Sequence, residues 1–67
     1  MADLKSIGLA IMRARQAKGM SQEDLAGIAD VARNYISRIE NGHVSFSVPV
    51  LLKITEALEI IPEELFK

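Results

Sequence analysis

The chain has 67 residues, no cysteine and a formal net charge of −1. A domain of that length has a core worth only about 3–5 kcal/mol of net stability, so a partner would add to it. The missing cysteines exclude a disulfide framework and a thiolate zinc site, and make a reducing, intracellular setting the simplest expectation.

No signal-peptide pattern is evident in the first twenty residues, which are interrupted by Asp3, Lys5, Arg13 and Arg15. Apolar runs such as residues 9–12 fall far short of the roughly 20 residues that a membrane span needs. The expectation is a cytoplasmic protein with no membrane partner, read as one domain over residues 1–67. The small net charge hides an asymmetry. Residues 1–39 carry six basic against four acidic side chains, a net +2, whereas residues 40–67 carry two against five, a net −3.

In chain order, Leu4, Ile7, Ile11 and Ala14 recur at three- and four-residue steps, which predicts a first helix from Asp3 or Leu4 to Lys18, stopped by Gly19. Ser21 then reads as an N-cap. Glu23 and Asp24 suit the positive end of the helix dipole, and Asp24 stands three residues after Ser21 in a near-match to a capping box. This predicts a second helix over residues 22–29. Asp30 and Val31 break the rhythm, and a third helix starts at Ala32 or Arg33 and ends near Asn41, with Gly42 behind it as a cap. Residues 43–47, HVSFS, form a loop. Ser47 caps a fourth helix whose early Pro49 removes no intrahelical hydrogen bond and whose apolar stripe holds Leu51, Leu52, Ile54, Thr55 and Leu58. Pro62 opens a fifth, short helix through Leu65 and Phe66. No strand-type alternation of useful length is present, so the fold class is all-α, five short helices around one core.

The third helix has two faces. At about 100° per residue from Arg33, Tyr35, Ile36 and Ile39 fall at roughly 200°, 300° and 240°, forming an inward stripe. Ser37, Asn41, Asn34 and Arg38 fall at about 40°, 80°, 100° and 140°, so with Arg33 they share the opposite side. A solvated surface normally mixes Lys with Glu, yet this face is polar, basic and almost free of acids, with only Glu40 near it. Arginine can pair bidentately with guanine and asparagine with adenine in a major groove. The preceding helix, across a short turn, begins with SQED, which places Gln22 and free backbone N–H groups where a phosphate could bind.

From about Ile7 to Leu65 the sequence resembles the Cro and phage-repressor type of helix-turn-helix domain, also called lambda-repressor-like or XRE family. The resemblance rests on RARQAKGMSQEDLA, NYISRIENG, VPVLLKITEALEI and PEELF, in that order and spacing. It implies that Gln22 contacts a DNA phosphate, that Arg33, Asn34 and Arg38 enter the major groove, and that Asn41 anchors to the DNA backbone. Ser37 lies between them and would touch sugar-phosphate or a base. Phosphate contacts would fix register while groove contacts carry the sequence choice. The resemblance also implies an ion pair between Arg15 and Glu40. The helical wheel supports it, since Arg15 falls within about 80° of Leu4, Ile7 and Ile11, and a half-buried arginine needs a carboxylate.

Four positions depart from the family pattern. Asp30 and Glu59 stand where glycine is usual, and Asp tolerates left-handed backbone angles. Ala32 and Ile61 replace the usual Ser or Thr caps, which at Ala32 forgoes about 1 kcal/mol.

The lone His43 reads as a surface loop residue, with no partner at metal spacing. The serines lack a base and an oxyanion site, so no catalytic residue, cofactor, metal or small-molecule ligand is expected, and the chain reads as a non-enzyme. Phe46, Val48, Ile60, Ile61, Leu65 and Phe66 are too many apolar groups for the C-terminal segment to hide, and predict a homodimer contact. Two recognition helices could then dock about 34 Å apart on an inverted repeat. The expected function is a sequence-specific double-stranded DNA-binding regulator, a repressor by exclusion of polymerase, with restriction-modification controller or antitoxin roles open within the class. The rival is a protein-interaction module that kept the fold and lost DNA binding, favoured by the negative net charge.

Overall fold

The computed structural model describes residues 3–66. Its order is α1 (Leu4–Ala17), α2 (Gln22–Ala29), α3 (Arg33–Glu40), α4 (Val48–Leu58) and a terminal 3₁₀ turn (Pro62–Phe66). Among the described residues there is no strand. The five expected helices are therefore four α-helices and one 3₁₀ stretch. The last segment is too short to set up an α-helical ladder, and Glu64 N–H donates to the Ile61 carbonyl at 3.0 Å, the i to i+3 pattern.

Local chemistry explains each boundary. Asp3 caps α1 through a reciprocal box: Ser6 N–H donates to Asp3 Oδ1 at 2.8 Å, and Asp3 N–H donates to Ser6 Oγ at 3.0 Å. Ser21 and Asp24 form the same box at α2, with Asp24 N–H to Ser21 Oγ at 2.9 Å and Ser21 N–H to Asp24 Oδ2 at 3.0 Å. Asp30 ends α2 in the left-handed region, φ 59° and ψ 48°. Its N–H and that of Val31 return to the Ala26 carbonyl, so the chain turns sharply toward α3. Glu59 ends α4 with the same geometry, φ 58° and ψ 39°. Ser47 Oγ accepts from Val50 N–H at the start of α4. Ala32 stands at the N-cap of α3 with no side-chain cap bond.

The core is built from Ile7 and Ile11 of α1, Leu25, Ala26 and Ala29 of α2, Ile36 and Ile39 of α3, Leu51, Ile54 and Leu58 of α4, and Leu65. α3 packs against both α1 and α2, α4 packs against α2, and the terminal turn closes over α1 and α4. Three members of the expected apolar stripes lie further out. Leu4 sits in the first turn of α1, beyond the layer set by Ile7 and Ile11, and is exposed, as is Leu52. Tyr35 is half-buried, its ring against the core and its hydroxyl 3.5 Å from the Ser45 carbonyl oxygen. Leu65, expected at a contact between chains, is 3% exposed and packs inside this one. It faces inward because the 3₁₀ turn lays it against α1 and α4, so it is not available to a contact between chains.

Candidate nucleic-acid interface

α3 is held by its apolar side. Ile36 and Ile39 are buried, and α1 and α2 grip the helix from behind. That anchoring leaves Arg33, Asn34 and Arg38 exposed, with Ser37 half-buried and Asn41 exposed at the C-terminal end. Among the described residues neither arginine takes part in an ion pair, the pairs being Arg15–Glu40 and Lys18–Glu59. Two unneutralised guanidinium groups thus lie on one outward face of an eight-residue helix. Asn41 differs from the others. Its Nδ2 donates to the Ser37 carbonyl at 2.9 Å, so its amide serves the helix end and keeps its carbonyl oxygen and one N–H for other partners.

Behind the face lies a buried polar cluster. Arg15 Nε donates to Glu40 Oε2 at 2.7 Å, and Arg15 Nη2 to Glu40 Oε1 at 3.1 Å, a bidentate pair between α1 and α3. Arg15 Nη1 donates to the Met20 carbonyl at 2.8 Å, tying the same guanidinium to the link between α1 and α2. Glu40 Oε1 also accepts from Gln22 Nε2 at 3.0 Å. No buried side-chain polar atom among the described residues lacks a partner. Gln22, expected to face a phosphate, is half-buried and already spans from the first turn of α2 to the end of α3.

Sequence reasoning missed that contact, since 18 residues separate Gln22 from Glu40 and no local pattern links them. It missed two glycine approaches as well. A Cβ on Gly8 would collide with the Ile39 carbonyl oxygen and lie 2.7 Å from that of Glu40, while one on Gly42, at φ +73°, would lie 2.8 Å from the Cα of Lys5. These two glycines let α1 lie directly on the C-terminal end of α3. The available signal was weak: Gly8 interrupts an otherwise regular helical pattern, which at roughly 1 kcal/mol per glycine demands a packing reason.

His43 is exposed, and no group of three or more His, Cys, Asp or Glu among the described residues could hold a metal ion. Among the described residues no helix is long and apolar enough to cross a membrane. Of the residues expected at a dimer contact, Val48 is 66%, Ile61 56% and Phe66 49% exposed, whereas Phe46 and Ile60 are half-buried against the core.

Two short helices joined by a tight turn at residues 30–32, the second anchored by one face and polar on the other, define a helix-turn-helix domain. A family model described as "Helix-turn-helix" matches residues 11–66, and the chain belongs to that family. It is similar to the restriction-modification controller protein C.AhdI from Aeromonas hydrophila, whose crystal structure matches with a TM-score of 0.93 at 41% identity, covering 98% of this chain and 100% of that one. It is 41% identical over 61 residues to the HTH-type transcriptional regulator SlrR of Bacillus subtilis, and 36% identical over 53 residues to the HTH-type transcriptional regulator PrpR of Mycobacterium tuberculosis. Those alignments take in 90% and 79% of this chain, but only 40% of SlrR and 11% of PrpR.

Proposed function

We propose that the chain is a transcriptional regulator that binds double-stranded DNA in a sequence-specific manner, with α3 in the major groove. Arg33, Asn34, Ser37 and Arg38 read base edges, and Gln22 and Asn41 hold phosphates. The observation that carries this reading is the outward face of α3: two exposed arginines without a carboxylate partner beside exposed asparagines, on a helix rigidly backed by Ile36 and Ile39. Donors of this kind match guanine and adenine edges. Solvation alone would not select against acids there.

The working unit is a homodimer on an inverted repeat. Val48, Ile61 and Phe66, with the outer edges of Phe46 and Ile60, supply an exposed apolar surface away from the core, and Leu52 of α4 adds to it. The dimer represses by occupying promoter DNA. Within the class, the near-complete mutual coverage with C.AhdI favours a restriction-modification controller role.

Selection of bound fragments from random duplexes, followed by affinity measurements against salt, tests the reading. Log affinity should fall linearly with log salt, with a slope of about −0.9 per phosphate neutralised, and the selected sites should show two-fold symmetry. No detectable duplex binding at low salt would overturn it in favour of a protein-interaction module.

A further inference from the structure

Glu40 is 6% exposed, yet its carboxylate joins three helices: it closes α3, pairs with Arg15 of α1 and accepts from Gln22 of α2. We propose that Glu40 is a positioning residue for DNA binding, presetting the Gln22 amide so that its second N–H points at a phosphate before DNA arrives. This rests on the reading of Gln22 as a phosphate contact.

The argument begins with what a carboxylate can do. It only accepts hydrogen bonds, so the nitrogen end of the Gln22 amide must face Glu40, and the flip that would turn the carbonyl oxygen inward is excluded. An amide nitrogen carries two hydrogens. One goes to Glu40 at 3.0 Å, and the other is fixed in direction by the planarity of the group. Arg15 has no need of Gln22, because Glu40 and the Met20 carbonyl already engage its Nε, Nη1 and Nη2. The third bond on Glu40 therefore does something beyond satisfying the ion pair: it removes the side-chain freedom of Gln22 during folding rather than during binding, which is preorganisation. Arg15 balances the carboxylate, so the anchor presents no net negative charge toward an approaching phosphate.

The test is a double-mutant cycle read as duplex affinity at one fixed salt concentration, on an operator selected from random DNA. Replacing Arg15 and Glu40 together by methionine removes the anchor without leaving a buried charge unpaired, and thermal unfolding reports whether the variant folds. In the native background Gln22→Ala should weaken binding about tenfold. In the Arg15→Met, Glu40→Met background the same change should cost little, since a freed Gln22 contributes little. An equal or larger effect of Gln22→Ala in that background overturns the positioning role. If Gln22→Ala has no effect even in the native background, the phosphate contact itself is wrong and the proposal falls with it. A second measurement needs no variant and decides the matter if the methionine protein does not fold. Gln16 and Gln22 are the chain's two glutamines, and Gln16 is exposed. Side-chain ¹⁵N relaxation of the free protein should show the Gln22 amide as ordered as the backbone and the Gln16 amide averaged. Equal mobility of the two overturns the proposal.

Discussion

Gly8 of α1 lies against the main-chain carbonyl of Ile39 in α3 with no room for a methyl group between them. Gly8→Ala would gain up to about 1 kcal/mol of helix propensity, but would force the helices apart at a cost of about 1–3 kcal/mol or more. The expected result is a lower melting temperature. Gly27, in α2, faces open space, so Gly27→Ala should raise the melting temperature by an amount corresponding to about 1 kcal/mol. A stabilised Gly8→Ala protein would mean that α1 does not sit this close to α3.

We assign Arg15 a structural role, because its guanidinium is turned inward onto Glu40 and Met20. Arg15→Ala leaves the Glu40 carboxylate buried without its charge partner, a loss of about 3–5 kcal/mol. That is comparable to the whole stability of a domain of this size, so circular dichroism should show a largely unfolded chain. A variant that kept its melting temperature and lost only DNA affinity would reverse this assignment.

Arg38 and Gln22 should fail differently on operator variants. Arg38→Ala is expected to lose about 1–3 kcal/mol of discrimination at one base pair. Gln22→Ala should weaken every sequence alike and, because the glutamine carries no charge, leave the salt dependence nearly unchanged. Equal effects of both changes on all operator variants would count against the division of roles.

Leu65 and Ile61 lie four residues apart and face opposite ways, one 3% and the other 56% exposed. Leu65→Ala should lower stability by about 2–5 kcal/mol. Ile61→Ser, and Val48→Ser on α4, should leave monomer unfolding nearly unchanged while sedimentation shows the dimer dissociating at higher protein concentration. Unchanged association in both serine variants would place the dimer contact elsewhere.

Acid should destabilise the fold through exposed carboxylates. Backbone and hydroxyl hydrogen bonds from Ser21 hold Asp24 below the ordinary carboxylate range, as those from Ser6 do Asp3, and the hydrogen bond and charge of Lys18 do the same for Glu59. A carboxyl whose pKa is depressed by folding adds stability that is fully present above its unfolded value and is lost as pH falls through the folded one. Denaturant unfolding stability should therefore decline from about pH 5 downward. Asp24→Asn should flatten that decline, and Glu59→Gln should do so more at low salt than at high salt. An acid limb unchanged by Asp24→Asn would remove the Ser21 box from the account.

Local signals carried most of the architecture. Ser21 with Asp24, Ser47 with Pro49, and Gly19 and Gly42 mark helix ends because capping is decided within three or four residues. The α2 bounds are those expected, and Asp30 adopts the left-handed angles required of it. At the terminal segment Pro62 and the spacing of Leu65 fit either an α or a 3₁₀ turn, and the shortness of the segment decides for the second. On the outward face of α3, the exposure of Arg33, Asn34 and Arg38 follows from the wheel once Ile36 and Ile39 are assigned inward. The Gln22 bond to Glu40, the Gly8 approach and the inward turn of Leu65 depend on how separate helices meet, and no periodicity within one helix encodes that.

The burial of Leu65 against α1 and α4 also bears on synthesis. A growing chain can form α1 to α4 while still attached to the ribosome, but the seal over their apolar sides waits until residue 65 has cleared the exit tunnel. Until then part of the apolar surface of α1 and α4 stays uncovered, and the domain completes its folding only after Leu65 is free.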